Sequence, residues 1–239
     1  MRALRSLVAA AACLLLGSLP AAAEDPASAD SLARFRLGLR TGFGVPFGRY
    51  AEVRTLASFR DPEVNALSDD LHGVIPFWID AGYRLSSRLT LGAYFVFGLV
   101  LPKVAPAANP LSGGCPRDFD CAATGLRAGI TAEYAFLTGP VRPWLGLGVG
   151  YEWVQTRIEG RTLDLQLATW HSGPEFLQLQ AGTDFSLYPS FGLGPFVMLT
   201  AMMYTSCSLE LGGQRQSCEL DDHAWHGWLL LGARGTLEL

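Results

Sequence analysis

The four histidines are the residues whose type best suits acid–base or metal chemistry. These histidines and the aspartates near them in sequence are His72, His171, His223 and His226 with Asp69, Asp70, Asp221 and Asp222. A histidine beside a carboxylate can act as an acid–base pair or bind a metal. However, His223 and His226 would point to opposite faces of a regular strand. No set of nucleophile, base and carboxylate is readable, and no phosphate loop or zinc motif occurs. The sequence therefore predicts no enzyme, no catalytic residue, no metal ligand and no cofactor, with a histidine–aspartate metal site as the alternative.

Cysteine spacing indicates disulfides rather than a metal site. The chain has five cysteines, of which Cys13 lies in an N-terminal apolar segment. The other four allow three pairings, and their close spacing favours Cys115 with Cys121 and Cys207 with Cys218. No CxxC motif occurs, and no histidine lies between the members of either pair. We therefore expect two local disulfides, which form in an oxidising compartment.

The N-terminal segment has the three parts of a secretory signal peptide. A basic region with Arg2 and Arg5 precedes an apolar core, and small residues end the segment at Ala23. A membrane helix is the alternative, but the apolar run is too short to span a bilayer. We expect residues 1–23 to be removed by cleavage near Ala23 and residues 24–33 to form a short lead-in.

Beyond residue 33, apolar and polar residues alternate with period two, as in strands with two unlike faces. In the first such segment, Phe35 and Leu37 alternate with Arg36 and Gly38. The pattern occurs in residues 34–45, 75–85, 89–99, 126–136, 145–153, 177–187, 193–203 and 225–239. Each segment has about the 9–11 residues that a tilted membrane strand needs. Residues 34–239 are therefore predicted to form one barrel of eight antiparallel strands.

The connections between these segments alternate in length. The long ones are residues 46–73, 102–123, 155–172 and 206–222, and the short ones are residues 86–88, 137–142 and 188–190. Strict alternation places every long loop at one end of the barrel and both chain termini at the other. Short periplasmic turns with longer extracellular loops are typical of outer-membrane barrels.

The volume of an eight-stranded barrel decides which face points outward. Its interior is just wide enough for side chains or one small ligand, so the large apolar residues of eight strands do not all fit inside. The apolar face is therefore predicted to meet lipid, where an arginine or lysine at mid-depth costs about 2–4 kcal/mol. The charged residues predicted to face the interior are Arg40, Asp80, Arg84, Arg127, Glu133, Glu152, Asp184 and Arg234. Outward aromatic residues fall near both strand ends, as in the two aromatic belts of such barrels.

In these features the chain resembles the small OmpA/OmpX/OmpW type of bacterial outer-membrane barrel. The resemblance covers nearly all of the chain after residue 33 and is architectural, without a diagnostic motif. It implies an all-β, eight-stranded, antiparallel, up-and-down transmembrane barrel in the bacterial outer membrane, in contact with its lipid. It also implies insertion by the barrel-assembly machinery, which reads the last strand. Here that strand ends at Leu239 where the family has Phe, and its glycine, Gly235, is shifted by one position.

Three classes of function are compatible with such a barrel. The preferred one is a structural or loop-mediated surface-binding role, whose extracellular ligand the sequence does not name. The alternative is a narrow channel for small solutes, although interior charges of both signs are expected to pair and plug the lumen. A soluble, lipocalin-like binder is disfavoured by the volume argument. The net charge of −4 indicates no nucleic-acid partner.

Overall fold

The computed structural model describes residues 35–49, 66–105, 115–116, 119–160, 166–218, 220 and 225–239. Its strands are β1 (Phe35–Gly48), β2 (Leu71–Arg84), β3 (Leu89–Pro102), β4 (Val104–Ala105), β5 (Cys115–Pro116), β6 (Phe119–Ala135), β7 (Val141–Gly160), β8 (Gln166–Tyr188), β9 (Phe191–Met203), β10 (Ser206–Leu211), β11 (Gln214–Cys218) and β12 (Trp225–Glu238). One helical turn, Leu67–Asp70, precedes β2. No helix in the described part of the chain is long and apolar enough to cross a membrane. The predicted signal peptide and lead-in, residues 1–33, lie outside the described residues.

Eight strands, β1, β2, β3, β6, β7, β8, β9 and β12, form a closed barrel. Each pairs antiparallel with its neighbours in chain order, and β1 pairs with β12 to close the ring. At this closure Leu37 lies opposite Leu237 on β12 and opposite Ala81 on β2. The predicted fold class, an eight-stranded antiparallel up-and-down barrel, is confirmed.

The alternation that predicted these strands is also the alternation of their burial. Along β1, exposed and buried residues follow one another almost without exception. The short connections lie at one barrel end, as predicted, because antiparallel strands in chain order place every second connection at the same end. In the first of them, the Ser86 hydroxyl accepts hydrogen bonds from the backbone N–H groups of Arg88 and Leu89. We call this end the turn side and the opposite end the loop side.

Three of the predicted long loops contain strands or strand extensions that the sequence did not reveal, and in residues 102–123 these are β4, β5 and the first part of β6. β7 and β8 are 20 and 23 residues long, so most of the predicted loop 155–172 is paired strand. The predicted loop 206–222 contains the β10–β11 hairpin, whose turn is formed by Gly212 and Gly213 with φ of 57° and 82°. Positive φ at both central residues is the geometry of a type I′ turn, which glycine adopts without steric cost. These strands were not predicted because they carry polar side chains on both faces. Alternation of apolar and polar residues predicts only strands that have one apolar face.

These extensions form a second structural region, which we call the loop-side sheet. It consists of residues 119–124, 155–160 and 166–172 together with β10 and β11. β10 pairs with the upper part of β8, and β11 pairs only with β10 in the described structure. The sheet therefore continues the barrel wall on one side, and β11 is its edge strand.

Candidate functional site: the barrel lumen and the loop-side sheet

The outer surface of the barrel is apolar between two rows of aromatic residues. Exposed aromatic residues near the turn side include Phe35, Tyr83, Phe136, Phe185 and Tyr188, and those near the loop side include Phe77, Phe97, Trp153, Phe176 and Trp225. Exposed aliphatic residues lie between the rows. The described outward positions of the eight strands carry no charged residue there. An apolar band flanked by aromatic belts is the surface that a transmembrane barrel presents to lipid.

The turn-side half of the lumen is filled by a network of buried ion pairs, which we call the turn-side network. Its members are Arg36, Arg40, Arg234, Asp80, Glu133 and Asp184. Arg234 is fully buried and donates to both Glu133, at 2.5 Å and 3.2 Å, and Asp184, at 2.5 Å and 3.1 Å. Three arginines meet three carboxylates, so the network carries no net charge.

The remaining contacts of the turn-side network complete its hydrogen bonds. Arg36 donates to Glu133 at 2.6 Å, and Arg40 donates to Asp80 at 2.8 Å and 3.0 Å. The Trp144 indole donates to Asp184 at 3.3 Å, and the Arg234 guanidinium lies 3.7 Å from the centre of the Trp144 ring. Planar arginine groups that bind carboxylates and stack on an aromatic ring are firmly oriented. The lumen is therefore closed on the turn side.

At the turn-side rim, two further arginines bind the side-chain carboxylate of Glu238. Arg84 and Arg142 both donate to the same oxygen of Glu238, the latter at 2.6 Å. Glu238 belongs to β12, whereas its partners belong to β2 and β7. Ion pairs therefore join the end of β12 to β2 and β7 across the turn-side opening of the barrel.

The loop-side half of the lumen holds a second polar group, which we call the loop-side cluster: Tyr94, Arg127, Glu152, Glu175, Tyr204 and His226. Glu175 accepts a hydrogen bond from the Tyr94 hydroxyl at 2.5 Å and lies 3.6 Å from Arg127. His226 Nε2 lies 3.1 Å from Glu152. Within the described residues, Arg127 Nη1 and His226 Nδ1 are buried and have no hydrogen-bond partner.

Aromatic stacking links this cluster to the loop-side sheet. Tyr204 stacks on His226 with ring centres 4.1 Å apart, and the centre of the His171 ring lies 5.3 Å from that of Tyr204. His171 belongs to the part of β8 beyond the outer aromatic belt and lies opposite Cys207 on β10. Burial, with a smaller contribution from nearby His226, lowers the pKa of His171 to about 4. His171 is therefore neutral at ordinary pH.

Large apolar residues also lie inside the barrel, beside the charged residues that were predicted to face the interior. Examples are Trp78, Val96, Trp144, Phe196, Met198 and Leu230, all nearly inaccessible to solvent. Inward apolar residues interrupt the simple alternation, because they join their outward neighbours into runs such as residues 94–97 and 228–231. Such runs were the sequence signal for this interior packing.

Two small cavities lie in the described lumen. A cavity of about 10 Å³ lies on the turn side beside Arg36 and Glu133, and one of about 20 Å³ lies on the loop side beside Arg127 and Glu152. A water molecule needs about 10–15 Å³ by the same measure. Each cavity therefore has room for about one water molecule, and neither forms a continuous pore.

The structure places the predicted interior charges in three groups. Arg40, Asp80, Glu133, Asp184 and Arg234 lie in the turn-side network, Arg84 at the rim, and Arg127 and Glu152 in the loop-side cluster. Sequence reasoning missed Glu175 and His226 as interior residues. Glu175 lies N-terminal to the predicted sixth strand, and a β-bulge between Glu175 and Leu177 shifts the alternation that would have revealed it.

The histidines and aspartates that suggested acid–base or metal chemistry do not form one site in the described structure. His72 and Asp69 are exposed, whereas His171 and His226 lie inside and flank Tyr204. Within the described residues, no group of three or more His, Cys, Asp or Glu could hold a metal ion. His223, Asp221 and Asp222 lie outside the described residues.

Both predicted disulfides are formed in the structure. The Cα atoms are 5.8 Å apart for Cys115–Cys121 and 5.2 Å apart for Cys207–Cys218, within the ordinary range for a disulfide. The first joins β5 to β6, and the second joins β10 to β11 opposite each other in register. Both therefore brace the region beyond the loop-side aromatic belt.

The closed antiparallel barrel, its apolar outer band and its polar, plugged interior define a class of protein. The chain is a small β-barrel of the bacterial outer-membrane type, with its outer surface matched to lipid. The fold that the predicted resemblance implies is confirmed.

Known structures share this fold. The crystal structure of Neisserial surface protein A (NspA) matches with 13% sequence identity and a TM-score of 0.50, covering 86% of this chain and 97% of that one. A major outer membrane protein from Thermus thermophilus matches with 16% identity, a TM-score of 0.49 and coverage of 85% and 99%. The attachment invasion locus protein Ail of Yersinia pestis matches with 11% identity, a TM-score of 0.40 and coverage of 85% and 99%. No family model and no curated protein matches the sequence. At such low identity, the similarity to NspA establishes the barrel fold.

Proposed function

We propose that this chain is a non-enzymatic surface protein of the outer membrane that binds an extracellular partner through its loop-side sheet. The proposal includes export with cleavage near Ala23, a mature barrel from about residue 34, and insertion by the barrel-assembly machinery. The length of β7 and β8 carries the proposal. A tilted strand crosses a bilayer in about 9–11 residues, whereas these strands have 20 and 23.

The loop-side sheet has the features of a rigid binding platform rather than of a loose loop. The Cys207–Cys218 bridge and the two-glycine turn fix the β10–β11 hairpin. The side chain of Arg215 on β11 donates to Ser208 and lies over the ring of Trp170, 4.4 Å from its centre. A preorganised surface loses less conformational entropy on binding than a mobile one.

The edge strand β11 suits one mode of recognition, the addition of an extended peptide as a further strand. In a two-residue hairpin, the residues flanking the turn exchange backbone hydrogen bonds, and pairing alternates from there. The backbone groups of Gln214 and Gln216 therefore point to β10, and those of Arg215 and Ser217 point away from it. An unpaired strand edge is a template for a partner strand.

A proline at Ser217 tests this mode. Proline removes the outward N–H group of residue 217 but leaves the β10–β11 hydrogen bonds intact, as edge strands tolerate. Peptides would be selected from a random displayed library on the wild-type protein in lipid nanodiscs. We expect enriched peptides to lose binding to Ser217→Pro and to keep it with the matched control Ser217→Ala. Equal binding to both variants, or no enrichment over empty nanodiscs, would contradict strand addition.

The narrow channel remains the competing function, and electrical recording separates the two. The ion pairs of the turn-side network fill the turn-side half of the described lumen, and we expect no large steady conductance. Purified protein would be inserted into planar bilayers and the ion current recorded. Large, stable, voltage-independent openings would refute the closed lumen and favour a conduit.

A further inference from the structure

The turn-side opening of the barrel carries an excess of positive charge. The three short connections contain Arg88 and Arg142 and no acidic residue. Arg84, the last residue of β2, adds a third arginine, and Glu238 is the carboxylate that binds this group in the described structure. The turn-side network below the opening is neutral. Three arginines against one glutamate therefore leave an excess of two positive side-chain charges at the opening.

Two arginines of the opening lie side by side on one acceptor. Arg84 and Arg142 both donate to Oε1 of Glu238, and their side chains are 8% and 15% exposed. A guanidinium group has five N–H donors, and among the described residues this oxygen is the only acceptor for either group. Two positive charges this close repel each other, and one carboxylate balances only one of them. The pair therefore retains both donors and charge for a stronger anion.

Arg88 lies at the same cavity as these two arginines. The turn-side cavity of about 10 Å³ is lined by Arg84, Arg88 and Arg142 together with Arg36 of the turn-side network. Arg88 is partly exposed and forms no ion pair with another described residue. Because the cavity itself has room for about one water molecule, a larger anion must displace the Glu238 carboxylate from its two arginines. Glu238 is thus an internal competitor for the site.

Phosphate has the chemistry that this opening would recognise. A phosphate group offers several acceptor oxygens to the planar fork of an arginine, and a phosphate monoester carries a charge of about −1.5 to −2 near pH 7. That charge matches the excess of positive charge at the opening. We propose that the turn-side opening is a binding site for phosphate groups, in which Arg84, Arg88 and Arg142 bind the phosphate in place of Glu238.

The ligand of this site is a water-soluble phosphate compound rather than a lipid headgroup. Arg84 and Arg142 belong to the inward faces of their strands, whereas the neighbouring residues Tyr83 and Val141 are exposed on the outer face. The donors therefore face the aqueous opening of the lumen. In the orientation proposed above, this opening lies in the periplasm.

Titration with inorganic phosphate tests the site. The protein would be purified in a phosphate-free maltoside detergent at about pH 8, where phosphate is largely dianionic. Binding would be followed by ³¹P NMR, with the ionic strength held constant by sodium chloride because salt screens exposed charges. We expect saturable binding of phosphate to the wild-type protein. Absence of saturable binding would overturn the proposal, as would binding of dihexanoyl phosphatidic acid without binding of free phosphate.

Three variants distinguish this site from a general attraction of anions. Glu238→Gln removes the competing carboxylate and should bind phosphate about tenfold more tightly than the wild type. Arg88→Gln should bind it about tenfold more weakly, since a hydrogen bond to a charged group is worth a factor of about ten or more. Arg88→Gln breaks no ion pair between described residues, so this variant should keep the fold.

The matched control is Arg49→Gln, which removes the same charge from an exposed position at the loop side. It should bind phosphate as the wild type does, because it lies at the opposite end of the barrel. Equal affinities of Glu238→Gln and the wild type would refute the site. A loss of affinity in Arg49→Gln as large as that in Arg88→Gln would also refute it.

Discussion

The two halves of the lumen differ in how completely their buried charges are paired. The turn-side network sets Arg36, Arg40 and Arg234 against three carboxylates, and Arg234 alone makes four hydrogen bonds. The loop-side cluster sets Arg127 against two glutamates and contains both of the buried polar side-chain atoms that lack a hydrogen-bond partner in the described structure. A balanced, saturated network suits permanent closure. The loop-side cluster is less completely paired, and it lies under the region that extends beyond the membrane.

Replacing one glutamate by glutamine in each half of the lumen tests this comparison. The replacement in the turn-side network should change the free energy of unfolding most. Glu133→Gln removes a carboxylate that binds Arg36 and Arg234, and leaves three arginines with two anions. Breaking a buried ion pair costs about 3–5 kcal/mol, so we expect a loss of that size in the free energy of unfolding. Glu175→Gln, in the loop-side cluster, leaves Arg127 with Glu152 as its counter-charge and should cost little or nothing in the free energy of unfolding. Urea unfolding in lipid bilayers, followed by tryptophan fluorescence, measures both.

The difference between the stability losses of Glu133→Gln and Glu175→Gln is the informative result. Equal destabilisation by both variants would indicate that the glutamates act only as hydrogen-bond acceptors and that charge balance is not what distinguishes the two halves.

A smaller and more local effect is expected from opening the hairpin disulfide. Replacing Cys207 and Cys218 by serine removes the constraint on a closed loop with a sequence separation of 11. For a loop of this length the constraint is worth about 3 kcal/mol in the chain-entropy model. We expect amide protection to fall in β10 and β11 and to remain unchanged in β1 and β12. Spread of the loss into the barrel strands would show that the loop-side sheet is not a separate cooperative unit.

The barrel could be predicted from the sequence because lipid on one side and a narrow lumen on the other impose alternation on every spanning strand. The eight segments, the alternating loop lengths and the cysteine pairs all followed from this pattern and from spacing. The loop-side sheet could not be predicted in the same way. Gln155 and Trp170, for example, lie opposite each other in paired strands outside the apolar band, where water on both sides imposes no alternation.

The interior was predictable in its charges and less so in its packing. Inward arginines and carboxylates stand out in a strand whose other face is uncharged, whereas Trp78 or Phe196 looks like one more apolar residue. The pairing of charges was not readable either, since it depends on which side chains meet across the barrel. Arg36 and Glu133, for instance, are 97 positions apart in sequence and 2.6 Å apart in space.

The smallest predicted difference concerns one tryptophan from each half. Trp144 and Trp228 are both buried inside the barrel, and replacing either by phenylalanine removes a similar apolar volume. Trp144→Phe also removes the hydrogen bond to Asp184 and weakens the stacking under Arg234. A hydrogen bond to a charged group contributes about 1.5–3 kcal/mol and a cation–π contact about 0.5–2 kcal/mol. The bond is long and the phenyl ring still stacks, so we expect Trp144→Phe to cost about 1–2 kcal/mol more than Trp228→Phe.

Unfolding of the two single variants in the same lipid gives this difference without reference to an absolute stability. A double variant with Asp184→Asn adds a control, because the hydrogen-bond part of the excess should shrink when the carboxylate is neutral, as expected for coupled residues. If Trp144→Phe and Trp228→Phe cost the same, the indole of Trp144 is only a space-filling group. The stability of the turn-side network would then come from its ion pairs alone. The difference between the two halves of the lumen would depend on charge balance, with no contribution from the surrounding aromatic rings.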